Sequence, residues 1–148
     1  MFDFDSDDDE YASEVPRMRL ALRIRGDTLD PDFLTQRLGV LPTASAQKGD
    51  ERDDGRSGDT GEWLYRVDAP VGTELGECIE MLLAPLPDDT TLWEELTSTY
   101  TADVCCAMHL EARDQRTTVG AEVLQRLGRL GLSLGFEIHA DDGEGDDD

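Results

Sequence analysis

Apolar and polar residues alternate along four stretches of the chain, and between those stretches apolar residues recur at helical spacing. From Arg17 to Arg25, Met18, Leu20, Leu22 and Ile24 fall on one side, while Arg17, Arg19, Arg23 and Arg25, with Ala21, fall on the other. A period of two marks a half-buried strand. Glu62 to Asp68 repeats it, with Trp63, Tyr65 and Val67 inward and Leu64 and Arg66 outward. Tyr100 to Ala112 is a third strand: Ala102, Val104, Cys106, Met108 and Leu110 point inward, and Asp103, Cys105, Ala107, His109 and Glu111 outward. Leu134 to Ala140 is the last, with Phe136 and Ile138 inward. Thr43 to Lys48 suits a short edge strand, and Gly49 to Gly61 is a polar, Gly-rich loop.

Helix signals fill the gaps. Asp30 is placed to cap a helix start, Pro31 suits the first position because its missing N–H is no loss there, and Asp32 lies at the positive end of the dipole. Leu34 and Leu38 share a face, and Gly39 ends the helix. Thr73 is the expected cap of a second helix with Leu75, Ile79, Leu82 and Leu83 as its stripe, stopping near Pro85 and Pro87. Asp89 or Thr90 caps a third, which contains Leu92, Trp93 and Leu96. A fourth, Ala121 to Leu130, buries Val123, Leu124, Leu127 and Leu130 before Gly131, although Gly128 costs it about 1 kcal/mol relative to Ala. The order β-α-β-β-α-β with an appended α-β predicts an α+β fold: a ferredoxin-like split βαβ sheet with helices on one face. Alternating strands leave the other face to water.

Composition sharpens this picture. A chain of 148 residues suits one domain. Its formal charge is −22, and residues 1–14 and 141–148 hold 13 of the 35 acids and no base. The expected division is an acidic disordered tail over 1–15, one domain over 16–140 and a second acidic tail over 141–148, because like charges repel and little apolar surface offsets the ordering entropy. Lys48 is the sole lysine beside twelve arginines, a usage that fits both life at high salt and a GC-rich genome. Cys78, Cys105 and Cys106 have neither disulfide-framework nor metal-knuckle spacing, which points to a reducing, cytoplasmic setting. The acidic opening is unlike a signal peptide, and no apolar run approaches about 18 residues.

Several weak motifs in order carry a family resemblance. They are Arg25-Gly26-Asp27-Thr28-Leu29-Asp30-Pro31, then Leu41-Pro42-Thr43 leading to Lys48-Gly49-Asp50, then Glu62-Trp63, and finally LGRLGLSLGFEI from Leu127 to Ile138. Over residues 17–140 the chain resembles the small bacterial proteins called the domain of unknown function 4279 family. Ala46 stands where the family often has an aromatic before Lys-Gly-Asp, and Glu137-Ile138-His139 stands where it often has Asp-Ile-Tyr. The resemblance implies no reaction, ligand or cofactor. Related small proteins are sometimes encoded near toxin or defence genes, which implies an immunity role by analogy.

Adding the outward residues gives one candidate binding face: Arg17, Arg19, Arg23, Arg25, Arg66, His109, Glu111 and His139, with Asp103, Cys105 and Glu137 among them. The plain reading is a solvated face neutralised by cross-strand ion pairs. The sharper one is a transition-metal site on His109 and His139 with Cys105 or Glu111, which needs three or four converging donors. Single-stranded RNA fits poorly, because the face lacks aromatics to stack bases and the total charge repels phosphate. Cys105 and His109 are four apart on a strand, about 13 Å, too far for a thiolate–imidazole pair. Cys106 faces inward as a small core residue. Arg25-Gly26-Asp27 is a chance tripeptide, and Asp27, Asp30 and Asp32 lack calcium-loop periodicity.

These readings lead to a non-enzymatic acidic protein that binds a basic protein partner, with an immunity protein neutralising a toxin as one form of it. The alternative is a small-ligand or metal-binding protein, conceivably an enzyme, that uses the open sheet face with His109 and His139. No cofactor, nucleic acid or membrane partner is expected. In a third arrangement the acidic tails fold back over the arginine strand until a partner displaces them.

Overall fold

The computed structural model describes residues 15–49 and 60–140. Both acidic tails, and most of the loop expected from Gly49 to Gly61, lie outside the described residues. The elements run β1 (Arg17–Gly26), α1 (Pro31–Leu38), β2 (Ala44–Ala46), β3 (Gly61–Asp68), α2 (Leu75–Leu83), α3 (Thr90–Thr99), β4 (Thr101–Leu110), α4 (Ala121–Leu130) and β5 (Ser133–Ala140). The five strands form one mixed sheet in the order β2-β3-β1-β4-β5. β1 is antiparallel to both β3 and β4, β2 is antiparallel to β3, and β5 is parallel to β4. The fold is α+β, with four helices against one five-stranded mixed sheet.

Alternation decides which side of the sheet is covered. Met18, Leu20, Leu22 and Ile24 on β1, Trp63 on β3, and Ala102, Val104, Cys106 and Met108 on β4 join the buried cluster. They meet Leu34 and Leu38 of α1, Leu75, Cys78, Ile79, Leu82 and Leu83 of α2, Leu92, Trp93 and Leu96 of α3, and Val123, Leu127 and Leu130 of α4. Each leucine-sized side chain so buried contributes about 1.5–3 kcal/mol. The two tryptophans are fully buried with their indole N–H groups satisfied: Trp63 Nε1 donates to Thr35 Oγ1 at 3.1 Å and Trp93 Nε1 to the Pro87 carbonyl at 2.9 Å.

Local chemistry sets the element ends. Asp30 accepts from the Asp32 amide at 3.1 Å, and Gly39 closes α1 in the left-handed region at φ 78°. Asp89 caps α3 by accepting from the amides of Thr91 and Leu92. The turn after β1 closes when the Leu29 amide donates to the Gly26 carbonyl. At this junction Gly26 pairs with Gly61, and a Cβ on Gly26 would come within 2.6 Å of the Tyr100 ring.

Four expectations are corrected. Thr73 does not cap α2: Glu74 occupies the cap position without a side-chain cap bond. The helix start is served from a distance, since the Leu75 amide donates to Thr117 Oγ1 at 2.7 Å and the Gly76 amide to the Thr118 carbonyl at 2.9 Å. The Glu74 carboxylate in turn accepts from Thr117 Oγ1 and the Thr118 amide, each at 2.9 Å. Leu124 is 52% exposed because it lies off the stripe of Val123, Leu127 and Leu130. Phe136 and Ile138 stand opposite the inward Cys106 and Met108 but remain 52% and 57% exposed, since β5 is the sheet edge. Leu110, also expected inward, is only half-buried and is not part of the core, whereas Tyr65 and Val67 pack against the core as expected.

Candidate functional site

The register assembles the predicted face row by row. Arg17 lies opposite His109, which lies opposite His139. In the next row Arg19 faces Asp68 on one side and Ala107 on the other, and Ala107 faces Glu137. Arg66, Ala21, Cys105 and Gly135 follow, and then Leu64, Arg23, Asp103 and Ser133. Glu62 and Arg25 close the grid. Arg17, Arg19, Arg23, Arg25, Arg66, His109 and His139 therefore share one surface, and Glu111, just past β4, joins it through its contact with Arg17 at 2.8 Å.

Most of that positive charge is taken up inside the face. Arg19 holds Asp68 at 2.7 Å, and Arg23 grips Asp103 with two nitrogens, at 3.0 and 3.2 Å. Arg25 reaches the same carboxylate at 3.9 Å. The Asp103 hydrogen bond raises the Arg23 pKa further, against an opposing desolvation effect. Arg66 alone of the five arginines makes no ion pair with a described residue. Pairs as exposed as Arg19–Asp68 are worth about 0–1 kcal/mol. Arg23–Asp103 is shielded to 34% and 21% side-chain exposure and should be the strongest of them.

The histidine row borders a cleft of about 410 Å³ at the end of the sheet. Met18, Ala69, Val71, Ala107 and Met108 give it an apolar lining, and Arg17, Arg19, Asp68, His109 and His139 a polar one. His139 Nε2 also lies 3.7 Å from Glu137 within β5. Among the described residues no three His, Cys, Asp or Glu side chains are placed to hold a metal ion together. The histidines are neighbours by register, but Cys105 lies two rows away and Glu111 is engaged by Arg17.

The cysteines are free and differ in surroundings. Burial pushes the Cys106 thiol up to about 12, with smaller contributions from Cys78 and Cys105, so it stays neutral and a poor nucleophile at ordinary pH. Cys78 is raised too, first by burial and then by Glu77. Cys105 is half-exposed on the open face, with no imidazole in its own row.

The helices carry a second charged feature. Between Thr73 and Thr99 the chain carries seven acids and no base, a run plain in the residue order. Folding places it on α2, α3 and their connection, where Glu77, Glu80 and Glu94 are exposed and make no ion pair with a described residue. Asp88 is shared by Arg126 and Arg129 of α4, and Glu95 is held by Arg37 of α1 at 2.9 Å. Over the described residues 17 acids meet 11 bases, a net −6 against −22 for the whole chain. The body's surplus sits on the helices, and the sheet face is close to balance.

Fold and surfaces together define a small α+β domain with a paired, open sheet face and an acidic helix layer. A family model described as Domain of unknown function (DUF4279) matches residues 16–141, and the chain belongs to that family. It is the family that the motifs from Arg25 to Ile138 resemble. No curated protein and no solved structure matches the chain. No helix among the described residues is long and apolar enough to cross a membrane.

Proposed function

We propose that this chain is a non-enzymatic interaction domain that engages a basic protein partner through its acidic helix layer, a role that an immunity protein neutralising a toxin would fill. The observation that carries the reading is the stretch from Thr73 to Thr99, seven acids without a base, with Glu77, Glu80 and Glu94 exposed and unpaired among the described residues. Clustered charge of one sign raises the encounter rate with an opposite surface and disfavours wrong partners. The arginine face is a weaker choice for a basic partner because Glu111, Asp68 and Asp103 there are already engaged by its own arginines. The setting we propose is a bacterial cytoplasm, where three free cysteines would persist as thiols. Immobilised full chain should retain a basic protein from a lysate of the native organism at low salt and release it as salt rises. Retention of no basic protein at low salt would contradict the reading.

The cleft beside His109 and His139 supports a second reading, a site for a small anion with an apolar body. Its size falls in the range of small-molecule pockets, about 300–1,000 Å³, and its lining is apolar with arginine and histidine beside it and Asp68 at the Arg19 side, already held by that arginine. Competing-ligand NMR with a short-chain carboxylate would show shifts confined to that row, abolished by Arg17→Gln. Shifts scattered over the surface would count against it.

A further inference from the structure

The two edges of the sheet are protected unequally. β2 is three residues long, the short kind of edge that gives a foreign strand little to pair with. β5 is eight residues long, contains no proline or lysine, and holds its register with β4 without a bulge from Ser133 to Ala140. No described strand pairs with its outer side. On the helix side of this open edge stand Phe136 and Ile138, both more than half exposed. Single exposed apolar residues are ordinary; two at alternate positions beside unpaired backbone make a strip that a further strand would cover.

We propose that β5 pairs antiparallel with β5 of a second copy, about a twofold axis at Ile138, joining two five-stranded sheets into one of ten strands. Opposed residues in such a pair lie on the same face. With Ile138 opposite its mate, Glu137 stands opposite His139 of the second copy, and the reverse pair forms as well. Phe136 then stands opposite Ala140, so the bulky ring meets a small residue and the apolar strip runs on from one copy to the other. Moving the axis to Glu137 would set two carboxylates against each other. Like charges directly opposite destabilise a pair. About Ile138 the pattern of β5 is therefore complementary to itself.

Net charge sets the conditions. Two copies at −22 each repel at low ionic strength. In the chosen register the two Ala140 residues, from which the acidic tails continue, lie four positions apart, about 13 Å. That exceeds the Debye length of about 8 Å at physiological ionic strength. Association should tighten as salt is added, the opposite of the salt response expected for a basic partner.

Sedimentation equilibrium of the full chain over a dilution series, at low and high salt, tests this. The expected result is a monomer–dimer equilibrium that strengthens with salt. Ile138→Lys removes two central isoleucines per dimer, each worth roughly tenfold, and should weaken association about 100-fold. Glu137→Lys should weaken it as well, and adding His139→Glu should restore it by setting opposite charges against each other. Because these side chains are exposed in the single copy, circular dichroism and melting of the dilute variants should match the parent. A monomer mass at every concentration and salt overturns the proposal, and so does a dimer that Ile138→Lys leaves unchanged.

Discussion

Asp103 receives two nitrogens of Arg23 and lies near a third from Arg25, so one half-buried carboxylate organises the centre of the open face. Replacing it with Asn keeps the shape and leaves two guanidinium groups adjacent without their counter-charge. Asp103→Asn should cost about 1–2 kcal/mol in urea unfolding, whereas Asp68→Asn, in an exposed pair, should cost under about 1 kcal/mol. Equal costs would mean that burial does not distinguish the pairs. Cys106 supplies a pH signature. Its thiol lies at about 12 in the folded chain against 9.0 ordinarily. The folded state thus favours the protonated form, and the resulting stability is present below about 9 and declines as pH rises from there toward 12. Cys106→Ala should flatten the alkaline fall of the unfolding midpoint; an unchanged slope would assign that fall to other groups. The pairing partners were legible in part: alternation put Arg23 and Asp103 on one face, but only the register set them side by side.

At the scale of elements, the strand and helix periods were legible because each follows from residue order alone. Asp30, Gly39, Asp89 and Gly131 mark their ends by local chemistry. The start of α2 was not legible, since its amide partners are Thr117 and Thr118, more than forty residues away in the chain. A hydroxyl that both accepts from Leu75 and donates to Glu74 acts as a cap supplied by tertiary structure. Thr117→Val, with the same shape and no hydroxyl, should cost about 1–2 kcal/mol and raise hydrogen exchange in the first turn of α2. Unchanged exchange there would show that the helix start does not depend on the loop. Phe136, Ile138 and Leu124 mark a second limit. Periodicity tells which side of an element a residue takes, but whether another element covers that side depends on where the sheet ends.

For the whole molecule, the decisive quantity is where the charge lies. The total of −22 is read directly from composition, but its division, with −6 on the described body and the remainder on residues 1–14, 50–59 and 141–148, needs the boundaries of the fold. Within the body the open face pairs four of its five arginines internally, while the helix layer leaves Glu77, Glu80 and Glu94 without described partners. The face that alternation makes conspicuous holds most of its arginines in internal pairs, whereas a run without bases leaves three carboxylates without described partners. The most direct test compares the full chain with a Glu77→Gln, Glu80→Gln, Glu94→Gln variant as bait, each exposed to a lysate of the native organism at low salt. A basic protein retained by the parent, released by salt and lost from the variant is the predicted result. Equal retention by both baits, or retention indifferent to salt, would contradict an acidic helix layer as the binding surface.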